Sequence, residues 1–178
     1  MIRDLIEKTR SYRRFHQDFK IELETLKELV ELARLSAAAG NLQPLKYMLA
    51  NDPEKNDTIF PNLGWAGYLK DWPGPGEGVR PSAYIIVLGD KRICKSFGCD
   101  HGIASQNILL GAVEKGLGGC MIGSVNRERL RQDLDISDHF EILLVLALGK
   151  PKESVVLEEV GPDGNIKYWR DSDGVHHV

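Results

Sequence analysis

Apolar positions recur at helical spacing in several stretches of the chain and run unbroken in two others. Ile2, Leu5, Ile6 and Thr9 share a face, so residues 2–9 predict a short amphipathic helix. Residues 22–39 predict a second, with Leu26, Leu29, Val30, Ala33 and Ala37 on one side and Glu22, Glu24, Lys27, Glu28 and Glu31 on the other. Gly40 is its natural stop. A third helix is expected from Asp100, placed as the N-cap, to about residue 115. Its stripe of Ile103, Ala104, Asn107, Ile108, Gly111 and Ala112 is widened by Leu109, Leu110 and Val113 to nearly the whole circumference. Such a helix is buried on most sides, and in a chain this short a partner subunit is expected to supply part of that burial. Asn126 caps a short helix carrying Leu130 and Leu134. Tyr84–Leu88 and Ile142–Leu148 read as buried strands, and 46–50 as a third. Val155–Leu157 and Ile166–Arg170, with Gly161-Pro162-Asp163-Gly164 between them, predict a hairpin or an extended arm.

Four places between these elements carry candidate chemistry. Gly116-Leu117-Gly118-Gly119-Cys120-Met121-Ile122-Gly123 follows the third helix. It is either a sharp loop offering bare N–H groups or a glycine cap followed by an ordinary buried strand. It is not the dinucleotide fingerprint. Arg10-Ser11-Tyr12-Arg13-Arg14 is either a solvated basic turn or an anion clamp, since guanidinium forks bind phosphate in a bidentate manner. Asn41 and Gln43 lie two apart between helix and strand. Their amides can read the polar edge of a heteroaromatic ring, or Asn41 can simply stabilise a turn. Trp65, Tyr68 and Trp72 sit in an irregular stretch, 51–82, that reads as a lid, a pocket wall or a satellite apolar cluster.

Composition removes several classes of function. The net charge of −3 gives no electrostatic case for nucleic acid or an anionic membrane. No apolar run approaches the ~20 residues of a membrane span, and the charged N-terminus lacks a secretory core. Three cysteines, Cys94, Cys99 and Cys120, read as reduced thiols of a cytoplasmic protein, with Cys120 a small buried residue. None of the five histidines has metal-ligand spacing, and His176-His177 are expected to lie exposed at the terminus. No nucleophile elbow and no P-loop occur. An anion clamp, an amide pair, a glycine-rich backbone and aromatics, without an evident acid, base or nucleophile, suit a protein that holds a cofactor able to do the chemistry itself.

These pieces, in this order, resemble the FMN-dependent nitroreductase family. The residues that carry the resemblance are Arg10-Ser11-Tyr12-Arg13, Asn41-Leu42-Gln43-Pro44 and Gly116–Gly123, together with Gln106–Ala112 and Leu146–Pro151. The likeness spans residues 1 to 152. It implies an α+β fold, a central mixed β-sheet flanked by helices, in an intertwined homodimer. It also implies a domain over 1–152 with a lid-like insertion at 51–82, followed by an extended arm at 153–178. By the same resemblance Arg10, Ser11 and Arg13 hold the FMN phosphate, and Arg170 or Lys167 returns to it from the arm. Asn41 and Gln43 face the flavin, from the partner subunit or at the flavin edge, and the backbone at Ile122 and Gly123 meets the isoalloxazine. Trp65, Tyr68 and Trp72 are the candidate substrate pocket.

The implied activity is ping-pong hydride transfer from NAD(P)H through FMN to a nitroaromatic, a quinone or a similar small acceptor. The alternatives are a non-catalytic flavin-binding protein and a same-fold dehalogenase or flavin-fragmenting enzyme. The sequence departs from the family pattern at Thr9, where many members have a second arginine. It departs again at Ala38 and Ala39 in place of serines, and at Leu45 in place of a tryptophan.

Overall fold

The computed structural model describes all 178 residues. Its centre is β3 (Ala83–Asp90), in which every residue is buried. β3 pairs antiparallel with β2 (Leu45–Ala50) and with β5 (Phe140–Pro151). β5 also pairs with β4 (Gly118–Ile122) and, at its end, with β1 (Phe15–His16). The strand order is β1-β5-β3-β2 with β4 branching from β5, and a parallel bridge joins Ser11 to Gly119.

Successive side chains of a strand point to opposite faces, so β3 divides the core in two. Ile85 and Val87, with Leu144, Leu146 and Leu148 of β5, pack against α2 (Leu23–Arg34) and α4 (Asp100–Glu114). Tyr84, Ile86 and Leu88, with Val145 and Ala147, pack against Ile59 of α3 (Pro53–Ile59) and Leu130 of α5 (Arg127–Asp133). The remaining helix, α1 (Ile2–Lys8), buries none of its residues. Helices on both sides of a sheet whose strand pairings are antiparallel, made mixed by the one parallel bridge at its edge, make the fold α+β.

The structure departs from the periodicity at informative places. α2 ends at Arg34, not at residue 39. The Ser36 hydroxyl donates to the Leu32 carbonyl and accepts from Asn107 Nδ2 at 2.6 Å, which takes the chain off the helical path. Ala39 N–H then donates to both carboxylate oxygens of Asp100, at 3.0 and 3.2 Å. Asp100 is therefore not the N-cap of α4. Cys99 holds that position, and the carboxylate is drawn away to the alanine segment. Gly111 admits the close approach of another helix, and that helix belongs to its own chain. A Cβ there would fall on Leu32 of α2.

The glycine-rich stretch resolves as cap and strand. Gly116 takes φ +72 in the turn after α4, and Gly118–Ile122 is β4. The tail forms a separate three-stranded sheet. β6 (Val155–Val156) pairs parallel with β8 (His176–His177), which pairs antiparallel with β7 (Trp169–Arg170). The hairpin thus closes through Asp171–Val175 and not through Gly161–Gly164, because the Asp171 N–H donates to the Val175 carbonyl at 3.1 Å and its carboxylate accepts the Val175 N–H at 2.8 Å. No helix is long and apolar enough to cross a membrane.

Candidate functional site

α1 ends at Lys8, and the chain runs extended along the outer edge of β4. The Tyr12 N–H donates to the Gly119 carbonyl at 3.0 Å, which sets Ser11 and Arg13 beside the glycine strand. Gly118 has no room for a side chain, since a Cβ there would meet Tyr12 and Pro151. Small residues in β4 are what lets the basic segment lie this close. Beyond Gly119 no strand covers the edge of β4, so Met121, Ile122 and Gly123 approach an open margin of the sheet.

Ser11, Arg13 and Arg170 are brought to one corner, neither arginine as a solvated cation, while Arg10 turns back onto α1. Arg10 Nη2 donates to the Ile6 carbonyl at 2.8 Å, and its buried Nε has no acceptor in the chain. Arg13 is only 8% exposed, which rules out the solvated basic turn at this residue. Its Nη1 donates to the Ser11 carbonyl and meets His176 Nε2, each at 3.1 Å, and its guanidinium lies 5.0 Å from the Tyr168 ring. Arg170 pairs with Glu153 at 2.8 Å, the two side chains being 10% and 1% exposed, and its Nε is buried without an acceptor. The same Glu153 carboxylate accepts the backbone N–H of Arg13 and of Arg14.

Glu153 and His176 are the residues that the sequence reading missed. His176, expected in solvent, is fully buried, because β8 is the middle strand of the tail sheet. Burial, and then the Arg13 cation, push its pKa down to about 4. Its neighbour His177 faces the other way, onto Glu158 at 2.6 Å and Asp171 at 3.3 Å, and these carboxylates raise its pKa. The sequence held one usable signal: period-2 alternation in a strand sends two adjacent histidines to opposite faces. Cys120 is buried beside this corner, and burial raises its thiol pKa.

The other candidates stand elsewhere. Asn41 and Gln43 are exposed, and Gln43 Nε2 donates to Asn41 Oδ1 at 3.0 Å. No hydrogen bond joins either to the arginine corner or to Ile122 and Gly123. Gln43 borders a cavity of about 390 Å³ between α2, β2 and the start of α4, with Tyr47, Lys46 and Asp100. Both residues have positive φ, 53° and 51°. Only four non-glycine residues do so in the chain, and a third is Ala66, next to Trp65. Left-handed backbone at residues with a Cβ carries strain, and strain of this kind gathers at functional sites.

The aromatic segment does not form one cluster. Trp65 packs on Phe60 at 5.8 Å and covers Gly74, whose φ of +112 no other residue adopts readily. Tyr68 lies 4.8 Å from Tyr168 of the tail. Trp72 is stacked by the guanidinium of Arg170 at 4.7 Å and that of Arg14 at 5.9 Å. Two of the three aromatics therefore hold the tail against the body.

A model of the nitroreductase family matches residues 6–68 and 79–150, leaving out only 69–78 between the two blocks. The chain is 28% identical over 153 residues to a protein of Archaeoglobus fulgidus named as an NADH dehydrogenase/NAD(P)H nitroreductase, covering 82% of this chain and 83% of that one. A protein of the same name from Methanothermobacter thermautotrophicus is 29% identical over 160 residues, covering 85% and 79%. Among solved structures, a nitroreductase family protein of Streptococcus pneumoniae superposes with a TM-score of 0.74 at 16% identity, over 93% of this chain and 98% of that one. One of Parabacteroides distasonis, named as an NADH dehydrogenase/NAD(P)H nitroreductase, gives 0.71 at 23% identity, over 96% and 97%. An FMN-dependent nitroreductase of Clostridium difficile gives 0.66 at 22% identity, over 95% and 92%. The three ordered motifs, the sheet with its two-sided core and the family match over most of the length agree: this chain belongs to the nitroreductase family of oxidoreductases.

Proposed function

We propose that the protein is a homodimeric, FMN-dependent oxidoreductase that takes hydride from NAD(P)H and passes it to a small nitroaromatic, quinone or similar acceptor in the cytoplasm. The observation that carries this reading is the corner where Ser11, Arg13 and Arg170 meet beside the open edge of β4, with Arg10 on the adjoining turn. A single internal carboxylate, Glu153, pairs there with the Arg170 guanidinium and accepts the backbone N–H of Arg13 and of Arg14. Arg10 Nε and Arg170 Nε are buried donors without acceptors. A buried donor left unpaired costs roughly 1–3 kcal/mol, which an oxyanion in this corner offsets. The residues present therefore fit a flavin phosphate.

Bound FMN supplies the two-electron chemistry, and the chain binds and orients it. Arg10, Ser11 and Arg13 hold the phosphate, with Arg170 from the tail. The backbone of Ile122 and Gly123, at the uncovered edge of β4, offers hydrogen bonds to the flavin ring. Asn41 and Gln43 belong to the partner's half of the site, in keeping with their exposure and with their hydrogen bonding to each other and not to the arginine corner. Trp65, Tyr68 and Trp72 border the acceptor pocket.

The dimer reading rests on an apolar face. Leu35 lines a groove with Leu5, Leu32 and Leu110 between α1, α2 and α4, and it is exposed, as are Ile2 and Ile6 of α1, Ile103 of α4 and Leu42, each by at least 39%. Patches of this kind on a small domain mark association surfaces.

The test is an absorption spectrum of the purified protein after incubation with FMN and desalting, followed by anaerobic addition of NADH or NADPH. A retained flavin band that bleaches is the expected result. A colourless protein overturns the cofactor, and a flavin that neither nucleotide bleaches overturns the activity.

A further inference from the structure

Arg13 is held in place by the opposite end of the chain. Its Nη1 reaches the Ser11 carbonyl and His176 Nε2, both at 3.1 Å. Arginine has only donors, so His176 Nε2 accepts, and the imidazole is neutral with its proton on Nδ1. That Nδ1 is buried without a partner. The surroundings fix both groups. Tyr168 lies 5.0 Å from the Arg13 guanidinium and 5.3 Å from the His176 ring. Arg170, directly across the hairpin from His176, is locked to Glu153, which also takes the Arg13 N–H. With Nη1 engaged, the Nε–Nη2 edge of Arg13 donates to nothing in the chain. That edge presents two parallel N–H groups, the arrangement that binds a phosphate in a bidentate manner.

We propose that His176 is a positioning residue for the cofactor phosphate: by accepting from Nη1 it turns the free edge of the Arg13 fork towards the anion. The inference rests on the flavin reading above. It makes phosphate affinity depend on a residue at the far end of the chain, delivered by β8, and it separates two roles of the tail. Arg170 contributes charge, while His176 contributes direction through Arg13.

FMN and riboflavin differ by the phosphate, so their affinities separate a loss of direction from a loss of fold. Both are titrated by flavin fluorescence at pH 7.5 against the wild type, His176→Phe and His176→Gln. Phenylalanine keeps a ring against Tyr168 but has no acceptor, and glutamine restores a carbonyl oxygen. The expected result is about a tenfold loss of FMN affinity in His176→Phe, the effect of one hydrogen bond to a charged group. Riboflavin affinity stays unchanged, and His176→Gln regains most of the loss. Equal losses for both flavins, or undiminished FMN affinity in His176→Phe, overturn the positioning role while leaving the flavin reading intact. A wild type that binds neither flavin overturns that reading and this inference together. If circular dichroism shows His176→Phe to be unfolded, His176→Leu, which likewise lacks an acceptor, is measured in its place.

Discussion

Arg13 shows how a motif residue can be legible in kind and illegible in circumstance. Arg10-Ser11-Tyr12-Arg13 reads as an anion clamp from residue types alone, because guanidinium forks suit oxyanions. Burial of Arg13 to 8% exposure, with contacts to Ser11, Tyr168 and His176, depends on a tail more than 150 residues downstream. Arg13→Ala is accordingly expected to lower FMN affinity at least tenfold and to cost about 1–3 kcal/mol of stability in urea unfolding. A variant as stable as wild type would show that the tail contacts are not formed in solution. His176 and His177 give opposite pH responses. The pKa of His176 is held at about 4, below its unfolded value of 6.5, so its contribution is complete above pH 6.5 and is lost as pH falls towards 4. Arg13, Glu153, Arg170 and His177 set its field. The pKa of His177 is raised by Glu158 and Asp171, so its contribution is present below 6.5 and is lost as pH rises through its folded value. Melting temperatures from pH 8 to 4.5 should fall more steeply in His177→Ala than in wild type, and less steeply in His176→Phe.

Helices and strands were legible wherever one period dominated. Ile2–Lys8, Ala83–Asp90, Arg127–Asp133 and Phe140–Pro151 lie close to where apolar spacing and the Asn126 cap put them. The end of α2 was not, because alanines at 37–39 are good helix formers and local propensity favours continuing. Ser36, Asn107 and Asp100 overrule it through side-chain hydrogen bonds from another element. The same helix pair decides Gly111. Its close approach to Leu32 predicts that Gly111→Leu destabilises the single chain by about 1–3 kcal/mol through overpacking, whatever its state of association. Denaturant midpoints that do not move would contradict the α2–α4 packing. Glu153→Gln tests the tail sheet. Removing a charge that is 1% exposed and pairs with Arg170 should loosen residues 153–178, seen as faster proteolysis there with the body intact.

Association is a matter of faces rather than of motifs. Leu35, in the groove between α1, α2 and α4, is 65% exposed, and Ile103, one turn of α4 before Asn107 of that groove, is 39% exposed, an apolar surface that a single chain does not cover. Ile103→Glu is expected to shift the sedimentation coefficient from dimer to monomer and to release FMN, if Asn41 and Gln43 act from the partner. A dimer that keeps its flavin with Glu at this position would place the interface elsewhere. The aromatic segment belongs to this level too. Trp65 is half-buried against Phe60 at the margin of the core, whereas Tyr68 and Trp72 join the tail to the body, a division that spacing along the chain does not reveal.

By itself the sequence determined the apolar strands, most helix limits, the order of the three motifs and the family they belong to. These are local or linear properties, written in period, cap and spacing. Only the tertiary structure decided that the glycine stretch is an outer strand, that Glu153 and His176 enclose the basic segment, and that the tail hairpin closes at Asp171. Each of these depends on which distant side chain supplies a hydrogen-bond partner or excludes a Cβ, and neither periodicity nor composition along the chain encodes that choice.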